Sequence, residues 1–498
     1  MNVNPITRLD YPDLDVIRVE DTYYMVSTTM HFMPGCEILQ SFDLVHWEHV
    51  TYVYETLDHT DAQQLKSGQN IYGQGMWAAS LRYHEGRFYI CFVANDTRKT
   101  YLYTSEKIDG PWKKQLIEGF YHDGSLLFDE DGRNYIVYGN DEIWITELNE
   151  DLTAPKKDGL HRLLVSDHKN PELGYEGSHI QKINGYYYIF LIHSLRDRWM
   201  RTEACFYSDS LEGEFTGGDV LCDDRGYCGQ GVAQGGIVDT PDGKWYAMLF
   251  QDSGAVGRIP ILLPVTWKDH FPFFGQNGHV PEEIEVHSTR PGYIYQPLVG
   301  SDDFCNGLLP RWQFNHDPDP QYYHLDALQG TYTITTREVC TELTQAVNTL
   351  TQRMSYPSCA AEVTVDASAL KEGDVAGLCA LQGCYAAVGI TKHHGKYEVL
   401  MLDKKEDGIL DMTEGTVVES HQMDFRLEAD FCNMKDEARC YYRVNKGDWL
   451  PIGTVHKLYF KLDHFTGCRF GLFCYAAEET GGSACFRDFK YYDVDEIS

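Results

Sequence analysis

A phrase repeated five times before residue 250 constrains the fold of this chain more than any other feature. It joins an apolar strand, a turn carrying Gly or Asp, aromatic residues and a second apolar strand. The copies are Asp21-Thr22-Tyr23-Tyr24, Gly86-Arg87-Phe88-Tyr89, Gly132-Arg133-Asn134-Tyr135, Gly185-Tyr186-Tyr187-Tyr188 and Gly243-Lys244-Trp245-Tyr246. Each places a Tyr three residues after the turn residue, and these Tyr residues follow one another at intervals of 65, 46, 53 and 58. Hairpins recurring every 40–60 residues or so are the mark of a β-propeller, so five copies predict five blades. In a propeller the first strand of every blade runs to one central axis. Residues at matching places in different repeats then meet.

Twelve residues before each phrase Tyr stand Pro12 (with Asp13 beside it), Trp77, Asp123, Glu176 and Gln234. Three carboxylates, an indole and an amide therefore converge on one funnel. A single inward acid reads as a structural acceptor. Three in register across separate repeats are costly to desolvate and point to use. Two carboxyl groups facing each other across a pocket suit glycoside hydrolysis, in which one protonates the leaving oxygen and the other activates water. A third acid nearby disfavours ionisation of the proton donor. Each acid also has a structural reading: a turn cap at Asp13, an Asx turn at Asp123 before Gly124, a surface carboxylate at Glu176.

These residues resemble glycoside hydrolase family 43. Asn4-Pro5-Ile6 and Tyr11-Pro12-Asp13-Leu14-Asp15-Val16-Ile17-Arg18-Val19 are similar to the family's opening motif. Tyr23-Tyr24-Met25-Val26-Ser27-Thr28-Thr29 and Ser41-Phe42-Asp43-Leu44-Val45-His46-Trp47 match its first blade, and the likeness runs to about residue 290. The resemblance implies that Asp13 is the general base, that Asp123 (in His122-Asp123-Gly124-Ser125) tunes and orients the acid, and that Glu176 (in Glu176-Gly177-Ser178-His179) is the general acid. It implies that Arg258, in Gly257-Arg258-Ile259-Pro260, grips hydroxyls of the terminal sugar. Trp77 is a sugar platform or blade packing. Met30, His31 and Phe32 are expected at the pocket mouth, with Gln234 a further substrate contact. Leu14, Ala79, Gly124 and Ser178 replace a frequent Pro, which affects backbone stiffness and not the reacting groups. Ala233 stands where many members place a His near an axial calcium or water. No cofactor is expected to be required, and no residue is assigned to a metal.

The chain has 498 residues and a formal net charge of −33. That charge repels phosphate backbones, so nucleic acid is a poor partner, whereas a neutral sugar needs no steering. The N-terminus enters the motif directly without a basic or apolar leader, and no apolar run reaches about 18 residues. No membrane contact and a cytoplasmic location are therefore expected, with exo-action on imported oligosaccharides. The 15 cysteines include no Cys-x-x-Cys pair and read as reduced, mostly buried thiols. Homo-oligomerisation is left open.

Ten of the 15 cysteines lie beyond residue 300, and the alternation changes there. Ala361, Val363 and Val365 face one way and Glu362, Thr364 and Asp366 the other; Leu427, Ala429 and Phe431 alternate likewise with Arg426, Glu428 and Asp430. This period of two predicts an antiparallel β-sandwich. The predicted organisation is thus all-β: a five-bladed propeller over 1–300 and a sandwich over 301–498. The second half resembles the concanavalin-like domain behind many family 43 xylosidases, including Leu350-Thr351-Gln352-Arg353. That likeness implies a loop narrowing the active-site mouth. Asp302, Asp303 and Asp488 are candidates for structural calcium, with solvated surface acids the stronger reading.

The predicted activity is an inverting exo-glycosidase releasing terminal pentoses, β-xylosidase before α-L-arabinofuranosidase, with Asp13 and Glu176 separated by about 6.5–9.5 Å. A retaining fructan-type hydrolase requires a Trp-x-Asn-Asp-Pro string, which is missing near this N-terminus. A non-catalytic sugar-binding protein needs no aligned acids, and a protein-interaction propeller would carry Trp-Asp repeats.

Overall fold

Each repeated phrase forms the hairpin between the first two strands of a four-stranded antiparallel blade. The computed structural model describes residues 2–413 and 415–493. The first blade runs Asp15–Val19, Thr22–Val26, Gly35–Ser41 and Glu48–Tyr54, and the second Met76–His84, Arg87–Ala94, Lys99–Ser105 and Lys113–Ile117. The third begins with Ser125–Phe128, the fourth with Glu176–Ile183 and the fifth with Val232–Asp239. The phrase residues Tyr23, Tyr135, Tyr188 and Tyr246 are buried, packed among aliphatic side chains of their own and neighbouring blades. The ring is fastened at its ends: Asn2–Val3 pairs with Glu283–Ile284, and the Asn4 side chain exchanges two hydrogen bonds with the backbone of Leu262 in the fifth blade.

Arg82 ties the inner strands together. Its guanidinium donates to Asp15 at 2.7 Å, Ser125 at 2.7 Å, the Leu126 carbonyl at 2.8 Å and the Ile180 carbonyl at 3.2 Å, which spans four blades. His179 reaches the other Asp15 oxygen at 3.2 Å. Burial alone would raise the Asp15 carboxyl, but Arg82 and His179 hold it down at about 2. Replacing Arg82 with Met strands a buried carboxylate and is expected to cost about 3–5 kcal/mol of stability, measured by chemical denaturation. Because the folded pKa is depressed, the wild-type contribution is present above an unfolded value of about 3.9 and is lost as pH falls toward 2.

Two sheets form the second domain. One has the order Leu410–Met412, Lys396–Lys404, Tyr385–His393, Val375–Leu381, Arg469–Tyr475, Leu350–Arg353 and Gln313–Asn315. The other runs Tyr323–Asp326, Thr331–Thr335, Ser483–Asp493, Ser358–Asp366, Gln422–Asp430, Glu437–Arg443 and Leu450–Lys457. Ala361, Val363, Val365, Leu427, Ala429 and Phe431 all enter the core between them, as their alternation predicts. All 15 cysteines are free and ten are buried. Asp302 is not a solvated acid: it is buried, and its two oxygens accept from Phe304 N–H at 2.7 Å and the Trp312 indole at 2.8 Å.

The propeller contributes one strand to the sandwich. Phe32–Met33 pairs with Phe314 and Asn315 at the sheet edge, and the Arg469 guanidinium lies 3.4 Å over the Phe32 ring. Arg353, from the motif resembling the family's second domain, crosses to Glu37 of the first blade at 2.8 Å. Met30 pairs with Met76, and His31 packs against Tyr72, His316 and His464 with ring centroids 4.7–5.4 Å apart. Met30, His31 and Phe32 are therefore buried in the seam between domains, each 2% exposed or less, and not at the pocket mouth. The chain turns under the first blade at Met30, where φ is 47°, and the segment is consumed in sheet extension.

This seam excludes protons. Burial, with repulsion from His464, holds His316 at about 3; burial, with repulsion from Arg469 outweighing the pull of Asp463, holds His464 at about 4; and His31 also lies well below its ordinary value. Above pH 6.5 or so neither the folded nor the unfolded chain binds these protons. Below it the unfolded chain binds them and the native seam does not, so stability falls as pH drops from about 6.5 toward 4, by roughly 1.4 kcal/mol per unit per histidine. Melting temperatures across that range are expected to decline steeply in the wild type and less so in His464→Phe.

Candidate active site

The first strand of each blade is entered through a backbone kink that re-aims side chains at the axis. Asp13 (φ 49°), Ala78 (39°), Asp123 (49°), Gly177 (66°) and Gln234 (59°) all adopt left-handed conformations. The pairing register also slips between Trp77 and Ser80, between Glu176 and His179, and between Ala233 and Gly236. Bulges of this kind turn a side chain out of its strand, and Asp tolerates the conformation better than most residues. Gly177 is needed because a Cβ there would lie 2.7 Å from the Gln234 side chain.

The kinks bring Asp13, Trp77, Asp123, Glu176, Gln234 and Arg258 to one cavity of about 220 Å³. His122, Asn140, Leu173, Trp199 and Arg201 complete the propeller side, and Leu462 and Phe465 come from the sandwich. A larger cavity of about 460 Å³ opens at the far end of the same inner strands, around Arg82, Phe128 and Trp245. Its lining carboxylates are Glu130 and Asp239, and Asp13, Asp123 and Glu176 do not reach it.

Asp13 accepts from Arg258 Nη1 at 2.5 Å and from the Thr28 hydroxyl at 2.6 Å. Arg258 also reaches Asp252 at 3.2 Å, and Arg201 holds the other Asp252 oxygen at 2.8 Å. The Phe250 ring lies against both guanidinium groups, and Phe465 covers Arg258 at 3.8 Å. Asp10 fixes that lid. Its two oxygens accept from the backbone N–H groups of Arg258 and Gly467, each at 2.7 Å, joining the fifth blade to the sandwich loop. Gly467 permits the approach, since a Cβ there would stand 2.0 Å from the Val256 carbonyl oxygen. Trp77 packs edge-on to Phe465 at 5.0 Å. Gln234 N–H donates to the buried Glu203 at 2.7 Å.

On the opposite wall, Asn140 donates to Glu176 Oε2 at 2.6 Å and Gly177 N–H donates to Asp123 Oδ2 at 2.9 Å. His122 Nε2 lies 3.6 Å from Asp123 Oδ2 and 3.6 Å from Glu176 Oε2. Burial, reinforced by Glu176 and Asp13 and opposed by His122, raises Asp123 to about 6. Asp123 in turn raises His122 to about 9 against its burial, with Glu176 adding to the effect. Burial pushes Glu176 up, but His122, Arg201 and Arg258 together bring it below its ordinary value. Asp123 alone was expected to keep Glu176 protonated. The electrostatics of the site instead favour the proton on His122, because the imidazolium adds a charge that the acids alone do not reveal.

Among the described residues, His122, Asp123 and Glu176 form a group whose potential ligand atoms lie within 4.8 Å of one another. A cation there would compete with the His122 proton, since an imidazolium has no free lone pair. Arg201 and Trp199 escape the repeat register because Arg201 opens the third strand of the fourth blade, Arg201–Ser208, and Trp199 lies just before it. Leu462 and Phe465 escape it because they belong to the other domain.

The comparisons agree with this architecture. Residues 3–272 match the family described as Glycosyl hydrolases family 43, and residues 301–492 match the Beta xylosidase C-terminal Concanavalin A-like domain. A beta-xylosidase of Formosa agariphila is 27% identical, with 99% of this chain and 89% of that protein covered. A non-reducing end alpha-L-arabinofuranosidase of Bacteroides ovatus is 25% identical over 66% of this chain and 63% of its own length. Among solved structures, a bifunctional GH43-CE protein of Bacteroides eggerthii superposes with a TM-score of 0.91 at 42% identity. That alignment covers all of this chain, which spans 64% of the bifunctional protein's length. A family 43 enzyme whose engineered form displays both endo-xylanase and exo-arabinofuranosidase activity gives a TM-score of 0.88 at 27% identity, with 99% of both chains covered. With its propeller, its sandwich and more than half its length matched, the chain belongs to glycosyl hydrolase family 43.

Proposed function

We propose that the protein is an inverting exo-glycosidase that releases single pentoses from the non-reducing ends of hemicellulose-derived oligosaccharides, with terminal β-xylose its first substrate. The observation that carries this reading is the capped pocket: three acids and two arginines around about 220 Å³. That volume is below the roughly 300–1,000 Å³ of sites for drug-sized ligands and suits one sugar ring. The Phe465 and Leu462 side chains narrow its mouth from the sandwich, which favours a chain end over the middle of a polymer. Asp13 takes a proton from water on one face of the sugar. Glu176 delivers a proton to the glycosidic oxygen on the other. Arg258 and Arg201 offer donors to the sugar's hydroxyls, and Trp77 supplies an apolar wall.

Arabinofuranosidase action at the same site is the second reading, favoured by the relatives named for each activity or for both. Nitrophenyl β-xyloside, α-L-arabinofuranoside and β-galactoside assayed side by side test the proposal. Turnover of the xyloside, with the arabinofuranoside as a competitor or co-substrate, is expected. Preference for the galactoside, or binding of xylose without hydrolysis of any of the three, would overturn it.

A further inference from the structure

A second cavity opens beside the catalytic pocket and shares a wall with it. It measures about 580 Å³ against the pocket's 220 Å³ and lies at the junction of the second blade and the sandwich. Trp77 lines both cavities. The sandwich loop 459–465 divides them: Leu462 and Phe465 line the pocket, and Tyr459 and Asp463 line the recess. Gly73 lets the propeller approach that loop, since a Cβ there would stand 2.0 Å from the Asp463 carbonyl oxygen. The chemistry described above uses none of this space.

The walls of the recess carry donors that the protein itself does not use. Trp77 Nε1 and Asn95 Nδ2 are both buried, and neither has a hydrogen-bond partner within the protein. Buried donors are rarely left without an acceptor, and a ligand hydroxyl would supply one. Asp463 adds an acceptor: its Oδ1 takes the Tyr459 hydroxyl at 3.1 Å, which leaves Oδ2 for a ligand. Tyr72 offers a ring already fixed in place. Its hydroxyl donates to the Thr344 carbonyl at 2.8 Å and accepts from the Asn315 amide at 2.6 Å. Aromatic walls with a few convergent polar groups suit a sugar ring. Among the described residues lining the recess there is no Lys or Arg, so a phosphate or carboxylate ligand would find no counter-charge.

We propose that this recess binds a third, neutral pentose ring of the substrate. The inference rests on the glycosidase reading above. One ring fills the catalytic pocket, the next is attached to the departing oxygen, and the third lies beyond Trp77. The recess thus selects among substrates without touching the reacting atoms. Its contacts are the same in ground state and transition state, so they act on KM and leave kcat alone. Two sources present the same kind of ring: a third xylose of the backbone, or an arabinofuranose branching from the second xylose.

Xylobiose, xylotriose and xylobiose carrying α-L-arabinofuranose on its reducing-end xylose separate these sources. With the wild type, KM is expected to be about 10-fold lower for at least one three-ring substrate than for xylobiose, at similar kcat. Equal KM for all three would overturn the proposal. Two variants test the recess itself. A Cβ on Gly383 would meet only His464 Nδ1 at 3.5 Å and Tyr459 Cε1 at 4.0 Å, which is ordinary contact. Gly383→Trp therefore fills the recess, while Asn95→Ala removes a donor and adds no bulk. Neither residue lines the one-ring pocket. On the favoured three-ring substrate, KM is expected to rise about 10-fold in Gly383→Trp and about 5-fold in Asn95→Ala, with xylobiose kinetics moving less than about 2-fold. A rise on xylotriose assigns the recess to the backbone, and a rise on the arabinosylated substrate assigns it to a branch; either supports the proposal. Unchanged KM on both three-ring substrates, or an equal loss on xylobiose, would overturn it. Should Gly383→Trp fail to fold, Asn95→Ala and the wild-type comparison decide the matter without it. Failure of the wild type to hydrolyse any of the three glycosides sinks the glycosidase reading itself, whereas normal wild-type turnover with an indifferent recess sinks only this inference.

Discussion

Asp13→Asn is expected to lower kcat/KM by about 10⁴-fold on every substrate. Asn preserves the shape of the side chain and can still accept from the Thr28 hydroxyl, so the pocket keeps its outline. It cannot accept a proton from water at neutral pH. Because water activation is needed whatever group departs, the loss should be the same for good and poor leaving groups. The fold should be little affected: Arg258 loses one counter-charge but retains Asp252. KM should therefore change far less than kcat, the signature of an interaction made chiefly in the transition state. Steady-state kinetics beside a thermal melt separate this from damage to the fold. A variant that kept near-normal turnover would remove Asp13 from the chemistry.

Glu176→Gln is expected to behave in the opposite way toward leaving groups. The amide can retain a contact with Asn140 but has no proton to deliver. On xylobiose the fall should reach about 10³–10⁴-fold, while a dinitrophenyl glycoside should lose far less. The contrast between the two variants is more informative than either number. A base and an acid on opposite faces of the sugar must give different leaving-group dependences. If both variants lost activity equally on both substrates, the division of roles would fail.

Much of this molecule is legible in its sequence because the propeller is a repeat. The phrase Tyr residues supply a ruler, and counting back twelve residues reaches the start of each inner strand, where Asp123, Glu176 and Gln234 enter one pocket with Trp77 and Asp13. The ruler cannot show the left-handed kinks that aim those side chains, since they arise from backbone geometry at the mouth of the axis. Proximity along the chain misleads at Met30, His31 and Phe32. They follow a first-blade strand, yet the sandwich recruits Phe32 into its own sheet and buries His31 among three other rings. Phe465 and Leu462 are invisible to any reading confined to the repeats, because a residue of one domain finishes the pocket of the other. His122 stands in the same motif as Asp123, but its influence on Glu176 depends on a 3.6 Å distance across two blades. Charge balance in a pocket follows from separations in space, and a spacing along the chain does not contain them.

The central claim is that Asp13 and Glu176 work from opposite faces of one sugar, with water between the base and the anomeric carbon. Time-resolved proton NMR of β-xyloside hydrolysis reads this directly. The account predicts that the first xylose released is the α-anomer, followed by slow mutarotation. Initial appearance of the β-anomer would mean a covalent, retaining route and would contradict it.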